Sequence, residues 1–155
     1  MKKTLAIITL AGGLAAAPLA LSHLDSSAFI LSYRQSLFAL LGGNLGPMSS
    51  MIKGEMKWDD QQFQAWSKDL ATAASMDFMR AFPPGSEGGR TRAKPGIWNN
   101  LADFETKMDA MKVETAKMTE IASEGDKRAI LQQFQKTAGT CKSCHDDYKS
   151  KDYLD

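Results

Sequence analysis

The sequence predicts an all-α protein, an antiparallel up-down four-helix bundle. Three observations carry this. Apolar residues recur at helical spacing in four separate stretches, no stretch alternates as a strand would, and all but one of the connections are short enough to leave neighbouring helices antiparallel. With 155 residues, 43% hydrophobic and 24% charged, the chain is long enough for one domain with a single core. Internal repeats and low-complexity runs are absent.

Residues 1–20 read as a secretory signal, separate from a folded domain over residues 21–155. Lys2 and Lys3 form a positive start, Leu5 to Leu14 an apolar middle, and the small residues around Ala20 to Ser22 a cleavage site. Gly12, Gly13 and Pro18 break the apolar run, which is also too short for a membrane span, so no membrane attachment is expected after cleavage. Export from a bacterial cell would place the product in the periplasm. The chain has 19 basic and 18 acidic residues, and loss of Lys2 and Lys3 turns its slight positive balance slightly negative. Without a basic excess to neutralise phosphates, nucleic acid is not an expected partner.

The first helical pattern runs from about Asp25 to Lys53, with Ser22 or Asp25 as cap and Phe29, Ile30, Tyr33, Leu37, Leu40 and Leu41 as its stripe. Gly42, Gly43, Gly46 and Pro47 are costly within it and mark a kink or a close approach by a backbone or flat ligand. The second begins after Asp59 and carries Phe63, Trp66, Leu70, Ala74 and Phe78 to about Ala81. Pro83-Pro84-Gly85 then opens the longest loop, which lasts to Gly96. The third, Ile97, Leu101, Phe104, Met108, Met111, Thr115 and Met118, steps by fours and threes to about Ser123. Its methionines suit an irregular core. Gly125 and Asp126 end that helix and cap the fourth, whose stripe is Ile130, Phe134, Ala138, Cys141, His145 and Tyr148.

The fourth stripe contains the chain's only two cysteines, in Cys141-Lys142-Ser143-Cys144-His145. Two thiols three positions apart, with histidine directly after the second, form the spacing that attaches a c-type haem through two thioethers and an imidazole on iron. On a helix all three side chains share one face and reach one flat macrocycle. The expected fold is therefore a bundle with one covalently attached haem c. Zinc would need two more ligands, and the chain offers no second cysteine pair and only one other histidine, His23. A thioredoxin-type pair sits where a strand turns into a helix, and no strand pattern is near. A disulfide across two residues would be strained.

Only ten residues follow His145, none in an obvious setting for a second iron ligand. Any such ligand must come from an earlier helix. Several separated segments resemble the cytochromes c′: Tyr33-Arg34-Gln35-Ser36, Gly54 after Met51-Ile52-Lys53, Ala81-Phe82 with Pro84 to Gly89, Pro95 with Ile97-Trp98, and Cys141 to Tyr148. The resemblance implies five-coordinate, high-spin iron whose sixth position is blocked by an apolar residue, binding of NO and CO but not readily O₂, and a homodimer through the first two helices. By the same resemblance Cys141 and Cys144 match the thioether cysteines, His145 the proximal ligand, Arg34 and Gln35 the residues touching the haem propionates, and Phe38 the distal residue. Two features depart from the family pattern. Lys149 stands where many members have arginine, which leaves proximal-face NO behaviour open, because an ammonium is a point charge and not a planar fork. The loop around Arg90 to Lys94 is about two residues longer.

Two further function classes compete. A low-spin electron carrier would have methionine on the iron's sixth position, for which Met48 and Met51 are first-helix candidates, each more than two turns beyond Phe38. A haem enzyme would need a distal acid–base group, and His23, near the start of the mature chain, is remote from such a role. No catalytic residue is therefore assigned, and the redox partner stays unassigned.

Overall fold

The computed structural model describes residues 26–154. The signal segment, its cleavage site, His23 and the cap candidates Ser22 and Asp25 lie outside them. Helix α1 spans Ser26–Ile52, and Arg34 is its only charged residue. Leu37, Leu41, Met48 and Met51 are buried with Arg34, whereas Phe29 and Leu40, read as part of the stripe, are 55% and 50% exposed. The helix runs unbroken through Gly42, Gly43, Gly46 and Pro47. A Cβ on any of those glycines would meet nothing within 4 Å, so no backbone packs against them. Pro47, having no N–H, leaves the Gly43 carbonyl without its helical partner.

Helix α2 covers Asp60–Ala74, and the Asp59 carboxylate accepts from the Gln62 amide at 3.0 Å, as a cap should. It ends seven residues before the expected Ala81. Asp77 there accepts from the Met79 amide and starts a separate 3-10 turn, Phe78–Ala81. A short aspartate side chain competes with helical backbone bonding, which periodicity does not register. The third pattern also divides. Helix α3 is Gly96–Asn99 and α4 is Leu101–Glu124, separated by Asn100 at φ −145°, ψ 52°. The buried face of α4, Phe104, Met108, Met111, Thr115 and Met118, matches the expected seam. Gly125 closes it at φ +76°, a left-handed conformation that glycine adopts without a steric penalty. Asp126 accepts from the Arg128 and Ala129 amides and caps α5, Lys127–Tyr148.

The sequence reading contained no strand, and here it is corrected. Strand β1, Thr91–Ala93 in the long loop, pairs antiparallel with β2, Lys149–Leu154, beyond the last helix. Thr91 faces Leu154 and Ala93 faces Lys149, with an irregularity between them. β2 is largely polar, so it shows no alternation of the kind that reveals a strand.

The four long helices form the bundle. α1 packs on α2, α2 on α4 and α4 on α5. The remaining seam differs from the others, because α1 and α5 barely touch.

Candidate functional site

The open α1–α5 seam holds a cavity of about 550 Å³. From α5 come Cys141, Cys144 and His145, and from α1 come Arg34, Gln35 and Phe38. All six residues singled out in the sequence therefore line one space, although the two groups are more than a hundred positions apart. Met48 and Met51 are buried in the core and are not in its lining. Met108 and Met111, on α4, are.

The α5 wall owes its chemistry to helical spacing. Cys144 is buried and Cys141 half-buried, and both are free thiols. Burial pushes the Cys144 thiol up to about 11 and raises Cys141 as well, so both sulfurs are uncharged at neutral pH. His145 stands at the cavity's edge. Burial first, then the positive charges of Lys149 and Arg92, hold its imidazole below the usual histidine value. The neutral ring, with a free nitrogen lone pair, is the form that ligates a metal. Behind this wall the Tyr148 hydroxyl donates to Asp103, and Lys107 bonds Asp147 at 2.9 Å and Ser143 at 3.1 Å, tying α5 to α4.

On the opposite wall Arg34 is 2% exposed, an unusual depth for a guanidinium. Its Nε donates to the Ala81 carbonyl at 2.9 Å, and Nη2 donates to the Ser86 carbonyl and hydroxyl at 2.8 and 2.9 Å. The group lies 4.5 Å over the Phe82 ring and 4.9 Å over Trp98. Burial lowers its pKa, and Glu87 partly offsets this. Nη1 is buried with no partner. A buried cationic donor on a residue that lines a cavity is expensive unless an anion meets it. Gln35 is exposed and donates to the Arg90 carbonyl at 3.1 Å, which anchors the long loop. Phe38 is held edge-on by Phe78 at 5.5 Å and by Phe82 at 6.3 Å.

These features fit a haem c. Two uncharged thiols one turn apart and a neutral imidazole share one wall, an unpaired guanidinium nitrogen can receive a propionate, and the space between them is otherwise mostly hydrocarbon. Residues 30–149 match the sequence profile of the cytochrome c′ family. The chain belongs to that family.

As a cytochrome c′ it carries a covalently bound haem c. It is 34% identical over 121 residues to the cytochrome c′ of Alcaligenes xylosoxydans xylosoxydans, covering 78% of this chain and 93% of the relative. The cytochrome c′ structure from Shewanella frigidimarina superposes with a TM-score of 0.78 at 34% identity, covering 82% of this chain and 98% of that one. A nitric oxide complex of a variant cytochrome c′ from Alcaligenes xylosoxidans superposes with a TM-score of 0.71 at 33% identity, covering 81% and 97%. Several residues of this cytochrome c′ site escaped the sequence reading. Ala81, Phe82, Ser86 and Trp98 were recognised only as matching segments, and their common task is to surround Arg34. Arg92 and Tyr153, both lining the cavity, carried no signal at all.

Proposed function

We propose that this chain is an exported, periplasmic haem protein that binds NO and CO on the Phe38 side of the haem, serves in NO buffering or protection, and exchanges electrons without catalytic turnover. The haem supplies an iron whose open position takes a diatomic ligand. Cys141 and Cys144 hold the group covalently, and His145 binds the iron from α5. Arg34 receives a propionate on Nη1, a charge-assisted bond in a dry setting. Gln35, whose amide already serves Arg90, contributes a weaker contact at the rim.

The observation that carries the reading is the pairing of walls across the α1–α5 seam, histidine on one helix and a braced phenyl ring on the other. Bound O₂ develops negative charge and needs a hydrogen-bond donor, whereas NO and CO need one much less. On the α1 wall Phe38, Leu41 and Leu45 offer no donor, and the Arg34 and Gln35 donors are assigned to the propionates. Diatomic ligands must instead displace Phe38, so affinity is limited by the cost of moving it.

The optical spectrum of the ferrous protein tests this directly. A broad, high-spin spectrum that sharpens and shifts on adding CO or NO is expected. A sharp spectrum that CO leaves unmoved would promote the electron carrier instead, with a thioether on the iron, and Met108 and Met111 would become the candidate ligands because they line the cavity.

The exposed face of α1, with Phe29, Leu40 and no charged residue, supports a homodimer through α1 and α2. Sedimentation at several concentrations should show a dimer that Leu40→Asp converts to monomer with the haem spectrum unchanged. A parent chain that stays monomeric at high concentration rejects this assembly. Among the described residues no helix is long and apolar enough to cross a membrane.

A further inference from the structure

The match to the family ends at Lys149, where β2 begins. The ribbon that β2 forms with β1 is fastened at several points. Arg92 Nε donates to the Ser150 carbonyl at 2.8 Å, and the Lys94 amide donates to the Tyr148 carbonyl at 2.9 Å. Lys94 Nζ donates to the Asp146 and Asp147 carbonyls at 3.1 and 3.0 Å, satisfying groups that the end of α5 leaves open. The Arg90 guanidinium lies 5.1 Å over the Tyr153 ring. The result is a strap along the cavity next to His145, with Arg92, Lys149 and Tyr153 in its lining.

The strap brings two cations to the cavity, Arg92 and Lys149, and among the described residues no carboxylate is in the lining. Asp147 is engaged by Lys107 and Asp146 by Lys142. Asp152, on β2, is exposed, and among the described residues neither Arg92 nor Lys149 takes part in an ion pair. We propose that Arg92, carried to the cavity on β1 and fixed there by β2, acts with Lys149 to favour ferrous over ferric iron, and so sets the fraction of protein that can take CO. Ferric iron carries one more positive charge than ferrous, and fixed cations beside its histidine penalise that extra charge. Arg92, Lys149 and His145 line the same cavity, which places both cations on the histidine's side of it. Arg92 is half-buried, so solvent screens it only in part.

The inference rests on the haem reading of Cys141 to His145, and the test keeps the two apart. Holoprotein carrying Arg92→Gln, Arg92→Lys or Lys149→Gln is titrated by spectroelectrochemistry with redox mediators at low and high salt, after covalent haem has been measured in each sample. Arg92→Gln should lower the midpoint potential, shifting the ferrous-to-ferric ratio at fixed potential on the order of three- to tenfold at low salt and less at high salt. Arg92→Lys keeps the charge and should keep most of the potential. Lys149→Gln, which leaves the backbone pairing of the ribbon in place, should lower it as well. An unmoved midpoint in both glutamine variants at low salt overturns the inference, and so does a fall in Arg92→Lys as large as in Arg92→Gln, which would assign Arg92 to the hydrogen bond alone. Absence of covalent haem from the parent protein would overturn the haem reading and this inference with it.

Discussion

Alanine at both Cys141 and Cys144 is expected to abolish covalent haem attachment. Mass spectrometry of the exported chain should lose the haem increment carried by the parent, and acid–organic extraction should leave no haem on the polypeptide. Each single variant keeps one sulfur on the α5 wall and should retain a reduced yield. The expected consequence for stability is large, because the haem proposed for the α1–α5 cavity would cover walls formed by Phe38, Leu41, Phe82, Phe104 and Met111. Without the haem these walls lie open to water, and each large apolar side chain so exposed forfeits roughly 1.5–3 kcal/mol of burial, so a few of them amount to a large share of the roughly 5–15 kcal/mol that holds a domain together. The haem-free double variant should therefore melt far below the parent by circular dichroism. Undiminished covalent haem, or an unchanged melt, would reject the role given to this segment.

That segment was legible because it is local. Three reactive side chains within five positions on a helix meet at one wall whatever the rest of the chain does, and the capping residues Asp59, Gly125 and Asp126 were legible for the same reason. What the sequence hid depends on distant partners. Arg34 reads as the single charged residue of its helix, and its meaning comes from carbonyls 47 and 52 positions away. The β1–β2 ribbon was invisible because its strands are short and polar, and its anchoring bond spans 58 positions. Phe29 and Leu40 were placed on one stripe with Leu37 and Leu41 because a 3.6-residue period reveals apolar spacing without telling a buried face from a second apolar face left on the surface. The glycines of α1 were read as a kink or a close approach. They form neither a backbone contact nor a break in the helix, but Gly42 lines the cavity, which agrees with the flat-ligand alternative in that reading.

The distal wall makes the sharper demand on the proposed function, and Phe38→Ala meets it. The ring packs edge-on against Phe78 and Phe82, and aromatic pairs of this kind contribute about 0.5–1.5 kcal/mol each beyond simple burial. Moving the ring aside to admit a ligand therefore costs on the order of 1–3 kcal/mol. Alanine removes that cost in advance, so CO affinity should rise between about fivefold and a hundredfold, since roughly 1.4 kcal/mol is a factor of ten. The gain should appear in the association rate measured after flash photolysis, because the obstacle stands in the way of entry. Phe38 is only partly buried, so the fold should lose less than the roughly 3–5 kcal/mol of a full Phe→Ala truncation. Phe38→Leu, which keeps a hydrocarbon wall but discards both ring contacts, should fall between parent and alanine variant. If association and affinity in Phe38→Ala both match the parent while the spectrum stays five-coordinate, Phe38 belongs to the core packing around Phe78 and Phe82, and another cavity residue guards the iron.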